Sequence, residues 1–331
     1  MEQRLIRRAT ALTAGALALA LSTSCGAEPA GDGEGAAAGG GFPVTVETVH
    51  GDVEIAEKPT DVVALGWSDA EAALALGVQP VGLSDWQAYG GKGVGPWAED
   101  LLDAEPADLG TMEVSAEAVA NLDPDVVLNT RSDGQESTLS TVREFVPVVD
   151  PPQGVEVSYG TTWRQQMTQV SLALGEVEKG EELIADLEAR FAEVAAEHPE
   201  FEGRTVAVGA FYGDRLGAYV PGDSRVDFME ELGFESKPEI NDLAGDEFYV
   251  DLGLEEVETL DADLTVVFPI GMEAAELADN ELLNSIPSAR DGRLVVLDDP
   301  DLVNAFSSGS TLGIAHALDE APQVFSAALG D

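Results

Sequence analysis

The stretch "EAVANLDPDVVL" at 117–128 returns in looser form as "EEVETLDADLTVV" at 255–267. Glu117, Val119, Leu122, Asp123 and Asp125 keep their relative places as Glu255, Val257, Leu260, Asp261 and Asp263. Each copy joins a helix-like stretch to a β-branched run that opens at an Asp. A chain that writes a helix end and its following strand twice is expected to hold two units of related architecture. The wider pattern agrees: "DVVALG", "VQPVGL", "DVVLN" and "VPVVD" are short β-branched runs. They alternate with the helix-period segments "SDAEAALALG", "SAEAVANL" and "STLSTVREF". Past residue 200 the rhythm restarts with "RTVAVGAF", "DSRVDFMEELG", "LEEVETL", "DLTVVF", "ARDGRLVVLDD" and "STLGIAHALDEA". Strand and helix alternating at this spacing predict parallel sheets with helices on their faces. Ahead of them, "VTVETVHGDVEIAEKP" alternates apolar and polar residues around His50-Gly51-Asp52, as a short hairpin does.

Between the halves, Leu183, Ile184, Leu187, Phe191 and Val194 recur at helical spacing, and no Pro interrupts before Pro199. The pattern predicts a helix over 176–198, about 34 Å long at 1.5 Å per residue, able to cross both lobes and join them once. The expected fold is therefore α/β, with two Rossmann-like lobes at 42–160 and 201–331 joined through a connecting helical region at 161–200. One stiff joint disfavours a large clamshell closure.

The first 25 residues read as a targeting segment. "MEQRLIRR" precedes the apolar run "ATALTAGALALAL", which is too short to span a bilayer. "LSTSC" then resembles a bacterial lipoprotein signal ending at Cys25, the only cysteine in the chain. It departs from the usual pattern, since Ser22 stands where leucine is usual. Residues 26–41, "GAEPAGDGEGAAAGGG", read as a flexible tether. A lipid, a leash and a globular body imply work at the outer face of the cytoplasmic membrane.

Charge narrows the function. The 331 residues carry 16 basic and 63 acidic side chains, a net charge of −47, which argues against nucleic acid as a partner. Such an acidic surface predicts lower stability in millimolar than in molar salt. Apolar content of 44% supports real cores rather than an acidic disordered chain. His50, His198 and His316 fall in three separate segments, a hairpin, the end of the long helix and the last helix, so no metal-ligand set is expected. No Gly-x-Ser-x-Gly elbow and no Gly-rich phosphate loop appear, and no enzyme activity or cofactor is expected.

"VVALGWSDAEAALALGVQPVGL", "LDPDVVLNT", "TTWRQQ", "VPGDSRVDFMEELGF", "ARDGRLVVLDD" and "FSSGSTLGIAHAL", in that order, resemble the solute-binding proteins of iron–siderophore ABC importers. The resemblance runs from about Phe42 to the C-terminus. It implies the class III solute-binding architecture, a monomer, a ferric siderophore as ligand, and an ABC permease dimer with a cytoplasmic ATPase as partner. Haem or cobalamin is the alternative cargo of the same fold. It also implies that each lobe offers an acidic residue to the permease, and Glu117 and Glu255 occupy the matching positions. Glutamates at helix starts are otherwise explained by the helix dipole.

Cargo is expected at the carboxyl ends of the strands. Trp67, Trp86 and Arg131 follow strands of the first lobe; Tyr212, Arg215, Tyr219 and Phe268 follow or line strands of the second; Trp163 stands where the chain enters the connector. Aromatic faces would pack on an organic shell, and guanidinium groups would hydrogen-bond chelating oxygens. Each has a plainer role open to it. Trp67 could seal a strand end, Trp163 staple the helix start, Arg131 pair with Asp133 or Glu136, and Arg215 pair with Asp214. Arg225 reads as the brace of a helix start. Overall charge favours a hydroxamate or mixed siderophore over a catecholate.

Overall fold

The computed structural model describes residues 41–330, apart from Met112, Asp214 and Asp246. The leader, Cys25 and the tether lie outside the described residues. The chain opens with the expected hairpin, β1 (Val44–Thr48) and β2 (Gly51–Ile55), which pair antiparallel. Gly51 has φ of 105°, a turn conformation that costs glycine little.

The first lobe continues through β3 (Val62–Ala64), α1 (Asp69–Ala75), β4 (Pro80–Leu83), β5 (Ala107–Asp108), α2 (Ala116–Ala120), β6 (Val126–Leu128) and β7 (Val148–Val149). The sheet is wholly parallel in the order β5-β4-β3-β6-β7. Its central strands are buried on both faces, which explains their unbroken Val and Leu runs. "STLSTVREF" departs from expectation: only Val142–Glu144 form a 3-10 turn, with Val142 and Leu139 anchored in the core.

The connector is two helices, α3 (Trp163–Leu174) and α4 (Val177–Glu197). A Thr162–Gln165 capping box starts α3, and Gly175, at φ of 68°, ends it. The 21 residues of α4 span about 32 Å. Leu183 packs against the first lobe's core, Leu187 and Phe191 against the second's, and Ile184 touches both. One helix thus bridges the two cores.

The second lobe comprises β8 (Thr205–Tyr212), β9 (Arg215–Tyr219), α5 (Ser224–Glu231), β10 (Glu235–Ser236), α6 (Pro238–Ala244), β11 (Tyr249–Leu252), the 3-10 segment Leu254–Leu260, β12 (Leu264–Pro269), α7 (Ala274–Ala278), α8 (Pro287–Arg290), β13 (Leu294–Val296), α9 (Pro300–Ser308) and α10 (Thr311–Leu329). Its sheet runs β11-β9-β8-β12-β13, with β10 also on β8. Strands β8, β10, β12 and β13 are parallel, while β9 is antiparallel to β8 and β11. A purely parallel reading of this half is corrected by that antiparallel flank. The cause is the tight β8–β9 hairpin, which turns the chain straight back.

The sequence repeat has a structural counterpart. Asp125, just before β6, accepts from Thr60 N (2.7 Å), Thr60 Oγ1 (2.9 Å) and Asp61 N (3.0 Å), just before β3. Asp263, just before β12, accepts from Thr205 N and Thr205 Oγ1, both at 3.0 Å, at the start of β8. In both lobes a carboxylate pins the amino ends of two neighbouring parallel strands. Those amide donors hold both acids below their ordinary pKa.

Candidate functional site

The first lobe presents an aromatic group at its strand ends. Gly66 precedes Trp67 and admits no side chain, because a Cβ there would collide with the Asp69 carboxylate. Trp67 stacks on Trp86 with centroids 6.0 Å apart and planes 7° from parallel. Tyr159 meets both edge-on, at 6.3 Å and 5.6 Å. Trp86 Nε1 donates to Leu65 O at 2.8 Å, whereas the buried Trp67 Nε1 finds no partner among the described residues. Ser68 and Tyr159 both hold positive φ, 63° and 59°. Strain of this kind concentrates where side-chain direction matters.

Arg131 follows β6 and is buried, with its Cζ 5.9 Å from the Trp67 ring centroid. It pairs with neither Asp133 nor Glu136. It donates to two carbonyls, Tyr159 O (3.3 Å) and Ser308 O of the second lobe (3.1 Å). Burial lowers its pKa from the ordinary value, with Asp223 opposing and Arg225 reinforcing the change. Ser68 stands at the N-cap of α1 without capping through its hydroxyl, which donates instead to Ser308 O at 2.6 Å. Ser310 hydrogen-bonds the buried Glu71 across the same seam. Gly309 lies between, at φ of 63°, where a Cβ would overlap the Arg131 guanidinium.

In the second lobe Tyr212 closes β8 and Phe268 stands at the end of β12, at the carboxyl ends of two parallel strands. Cross-strand register puts Tyr212, Arg215, Gly217, Tyr219, Tyr249 and Asp251 on one face, together with Ala210 and Phe268. Tyr219 stacks on Phe268 at 6.0 Å, and Arg225 Cζ sits 3.8 Å from the Tyr219 centroid. Arg225 makes two hydrogen bonds to Asp223, the α5 N-cap, at 2.8 Å and 2.6 Å. Tyr212 donates to Asp251 (2.5 Å), as does Arg215 (2.7 Å). Burial and that carboxylate push the Tyr212 phenol up to about 12. Phe248 packs on Tyr249 (4.8 Å) and reaches Tyr159 of the first lobe (6.5 Å).

Trp67, Trp86 and Arg131 thus gather with Tyr159 on the first lobe, while on the second Tyr219 stacks on Phe268 beside Arg225 and Tyr212 and Arg215 share Asp251. Trp163 does not join them. It is buried in the second lobe's core, stacked on Phe191 at 6.5 Å, capped by Arg164 at 4.1 Å and bonded through Nε1 to Glu231 at 2.9 Å. Phe211 points into the opposite core. Sequence reasoning missed Tyr159, Phe248, Tyr249 and the reach of Arg225. The adjacent aromatics of "EFYVDL" were the available signal for the second lobe. Hollows beside Trp86 measure about 20 and 70 Å³; roomier ones, about 430 and 480 Å³, lie beside the β1–β2 turn and between β1 and α3.

Glu117, in the first turn of α2, and Glu255, in the 3-10 segment after β11, are both exposed. The loop before α2 lines the hollow beside Trp86 and Tyr159 through Thr111 and Val114. Glu255 follows Asp251 of β11 by four residues in the chain. The three histidines stay apart: His50 in the β1–β2 turn, His198 on Glu200 (2.8 Å), and His316 stacked on Trp97 (5.1 Å). Among the described residues no three His, Cys, Asp or Glu side chains converge to hold a metal ion, and no helix is long and apolar enough to cross a membrane.

Comparison with known proteins adds an independent line. The profile of the periplasmic binding protein family matches residues 62–300. A protein of Bacillus subtilis described as a probable siderophore-binding lipoprotein, YfiY, is 26% identical over 236 residues, 69% of this chain and 68% of its own. PiaA of Streptococcus pneumoniae, solved in complex with ferrichrome, superposes with a TM-score of 0.74 at 25% identity, covering 86% of this chain and 98% of its own. A periplasmic solute binding protein of Mycobacterium smegmatis gives 0.75 at 26% identity, covering 87% and 99%.

Proposed function

The chain belongs to the periplasmic binding protein family, and from that premise we propose that it captures a ferric siderophore outside the cytoplasm and hands it to an ABC importer. The observation that carries this reading is the aromatic seam. Trp67, Trp86 and Tyr159 cluster on the first lobe, Tyr159 meets Phe248 of the second lobe beside Tyr249, and Arg131 lies by Trp67 while donating to Ser308 O across the seam. Flat rings suit the organic shell of a chelate, and guanidinium N–H groups suit its iron-bound oxygens. The names of the relatives, a siderophore-binding lipoprotein and a ferrichrome complex, support the same class.

The mechanism is binding and release. Cargo entry parts the Tyr159–Phe248 contact, and Arg131 turns its donors from Ser308 O towards the chelate. The single α4 bridge limits the swing, so the lobes rock apart by a modest angle rather than hinging wide. Glu117 and Glu255 dock on the permease, one per lobe, where paired charges give steering and register. Cys25 carries the lipid that keeps the protein near its partner. Reversing both glutamates to Lys is expected to abolish uptake with cargo affinity unchanged; transport by that variant would refute the docking assignment.

Titration of the purified chain with ferric siderophores, haem and cobalamin tests the reading. Saturable binding of a ferric siderophore at or below micromolar concentration is the expected result. Tighter binding of haem or cobalamin, or retention of no iron chelate, would overturn it.

A further inference from the structure

Helix α9 ends at Ser308, so the carbonyl of that residue has no partner within the helix. Ser308 is fully buried, and the two donors that reach its carbonyl both come from the first lobe. Ser68 Oγ stands 2.6 Å from it and Arg131 Nη1 3.1 Å. A carbonyl oxygen has two lone pairs, so this pair of donors fills it. The partial negative charge of a helix C-terminus favours the cation there. Ser68 is shaped for this bond rather than for its own helix. It stands at the N-cap of α1, yet its hydroxyl caps no amide, and its backbone holds φ of 63°. That left-handed conformation is disfavoured for a residue with a Cβ, and it persists where the surroundings demand it. The turn that carries it is fastened to Arg131 itself, since Trp67 N donates to Arg131 O at 2.8 Å.

Resting on the capture reading above, in which Arg131 turns from Ser308 O towards the chelate, we propose that Ser68 is the positioning residue that frees Arg131 to turn. With the Ser68 hydroxyl in place, the departing guanidinium leaves a carbonyl that still has a donor. Without it, the same movement strands a buried acceptor, and that cost opposes cargo binding directly. The hydroxyl also keeps the lobes tied between α1 and α9 while the Tyr159–Phe248 contact parts. Ser68 acts on the cargo through Arg131, and the strain in its backbone holds the hydroxyl where the exchange of donors needs it.

Titration by tryptophan fluorescence, with thermal unfolding alongside, separates this role from a merely structural one. The probes are ferrichrome, ferrioxamine B, a ferric tris-catecholate and ferric citrate, and the tightest binder is carried into the variants. Ser68→Gly and Ser68→Ala both lack the hydroxyl, but only glycine relieves the backbone at φ of 63°. Both are expected to weaken binding about fivefold or more, whereas the melting temperature falls further for Ser68→Ala than for Ser68→Gly. In an Arg131→Ala background, Ser68→Gly is expected to change affinity by less than about twofold, because no guanidinium then leaves the carbonyl. Unchanged affinity in Ser68→Gly, or equal weakening with and without Arg131, would overturn the role of Ser68 and leave capture intact. No saturable binding of any of the four probes by the unsubstituted chain would overturn capture and this role together.

Discussion

At the scale of single residues, Arg131 carries the most weight, because one guanidinium serves both the seam and the proposed cargo. Arg131→Ala is expected to weaken ferric-siderophore binding about 10- to 100-fold, as loss of hydrogen bonds from a charged donor does. Arg131→Lys should not restore it, since an ammonium cannot reproduce the planar fork; calorimetric titration of both variants checks this. Gly309→Ala is expected to lower affinity and melting temperature together, because the new methyl group overlaps that guanidinium and the backbone sits at φ of 63°. Arg131 was legible in the sequence, as a cation after a β-branched run in a chain with few cations. Arg225 was legible only by half. "PGDSRVDF" announced a helix start, and Arg225 does brace it through Asp223. Its place over Tyr219 depends on a strand reversal that no local pattern marks. Trp163 misled for the opposite reason: a tryptophan at a lobe boundary looks like a liner until the connector's packing is known.

At the scale of elements, the repeat that opens the sequence proves to be a strand-start clamp. Removing either carboxylate leaves a Thr amide and hydroxyl without their acceptor. Asp125→Ala and Asp263→Ala should each cost about 1–2 kcal/mol, or roughly 2–8 °C in melting temperature for lobes of this size. Thermal unfolding of the two variants checks this, and a loss in only one would deny the equivalence of the lobes. The long helix and the hairpin were readable because periodicity over many residues outweighs local noise. "STLSTVREF" was not, since Leu139 and Val142 anchor it at helical spacing while its Ser and Thr hydroxyls favour turns. The β9–β11 flank escaped notice because "RLGAY" and "YVDL" are short, with weak alternation.

At the scale of the whole molecule, charge sets the response to solvent. Burial raises Asp69 to about 6 and Asp227 to about 6, and raises Glu71 as well. An acid raised on folding contributes stability below its unfolded pKa and loses it as pH rises through the folded value. Asp125 and Asp263 are lowered, so their contribution is present above the unfolded value near 3.8 and is lost below it. Melting temperature is therefore expected to rise as pH falls from about 7 towards 4, and to drop on further acidification. Relief of self-repulsion among 63 acidic side chains acts in the same direction over the lower part of that range. Molar salt at pH 7 should likewise raise the melting temperature by several degrees, and a flat salt response would contradict the surface-charge account.

The central claim is one seam, built by both lobes, that receives an iron chelate. Stopped-flow or equilibrium tryptophan quenching by ferrichrome in three variants tests it most directly: Trp67→Phe, Trp86→Phe and Trp163→Phe. The account predicts that the first two each remove a large share of a saturable quench and weaken affinity, while the third leaves both nearly unchanged. A quench that survives loss of Trp67 and Trp86 but vanishes with Trp163 would place the ligand elsewhere and contradict it.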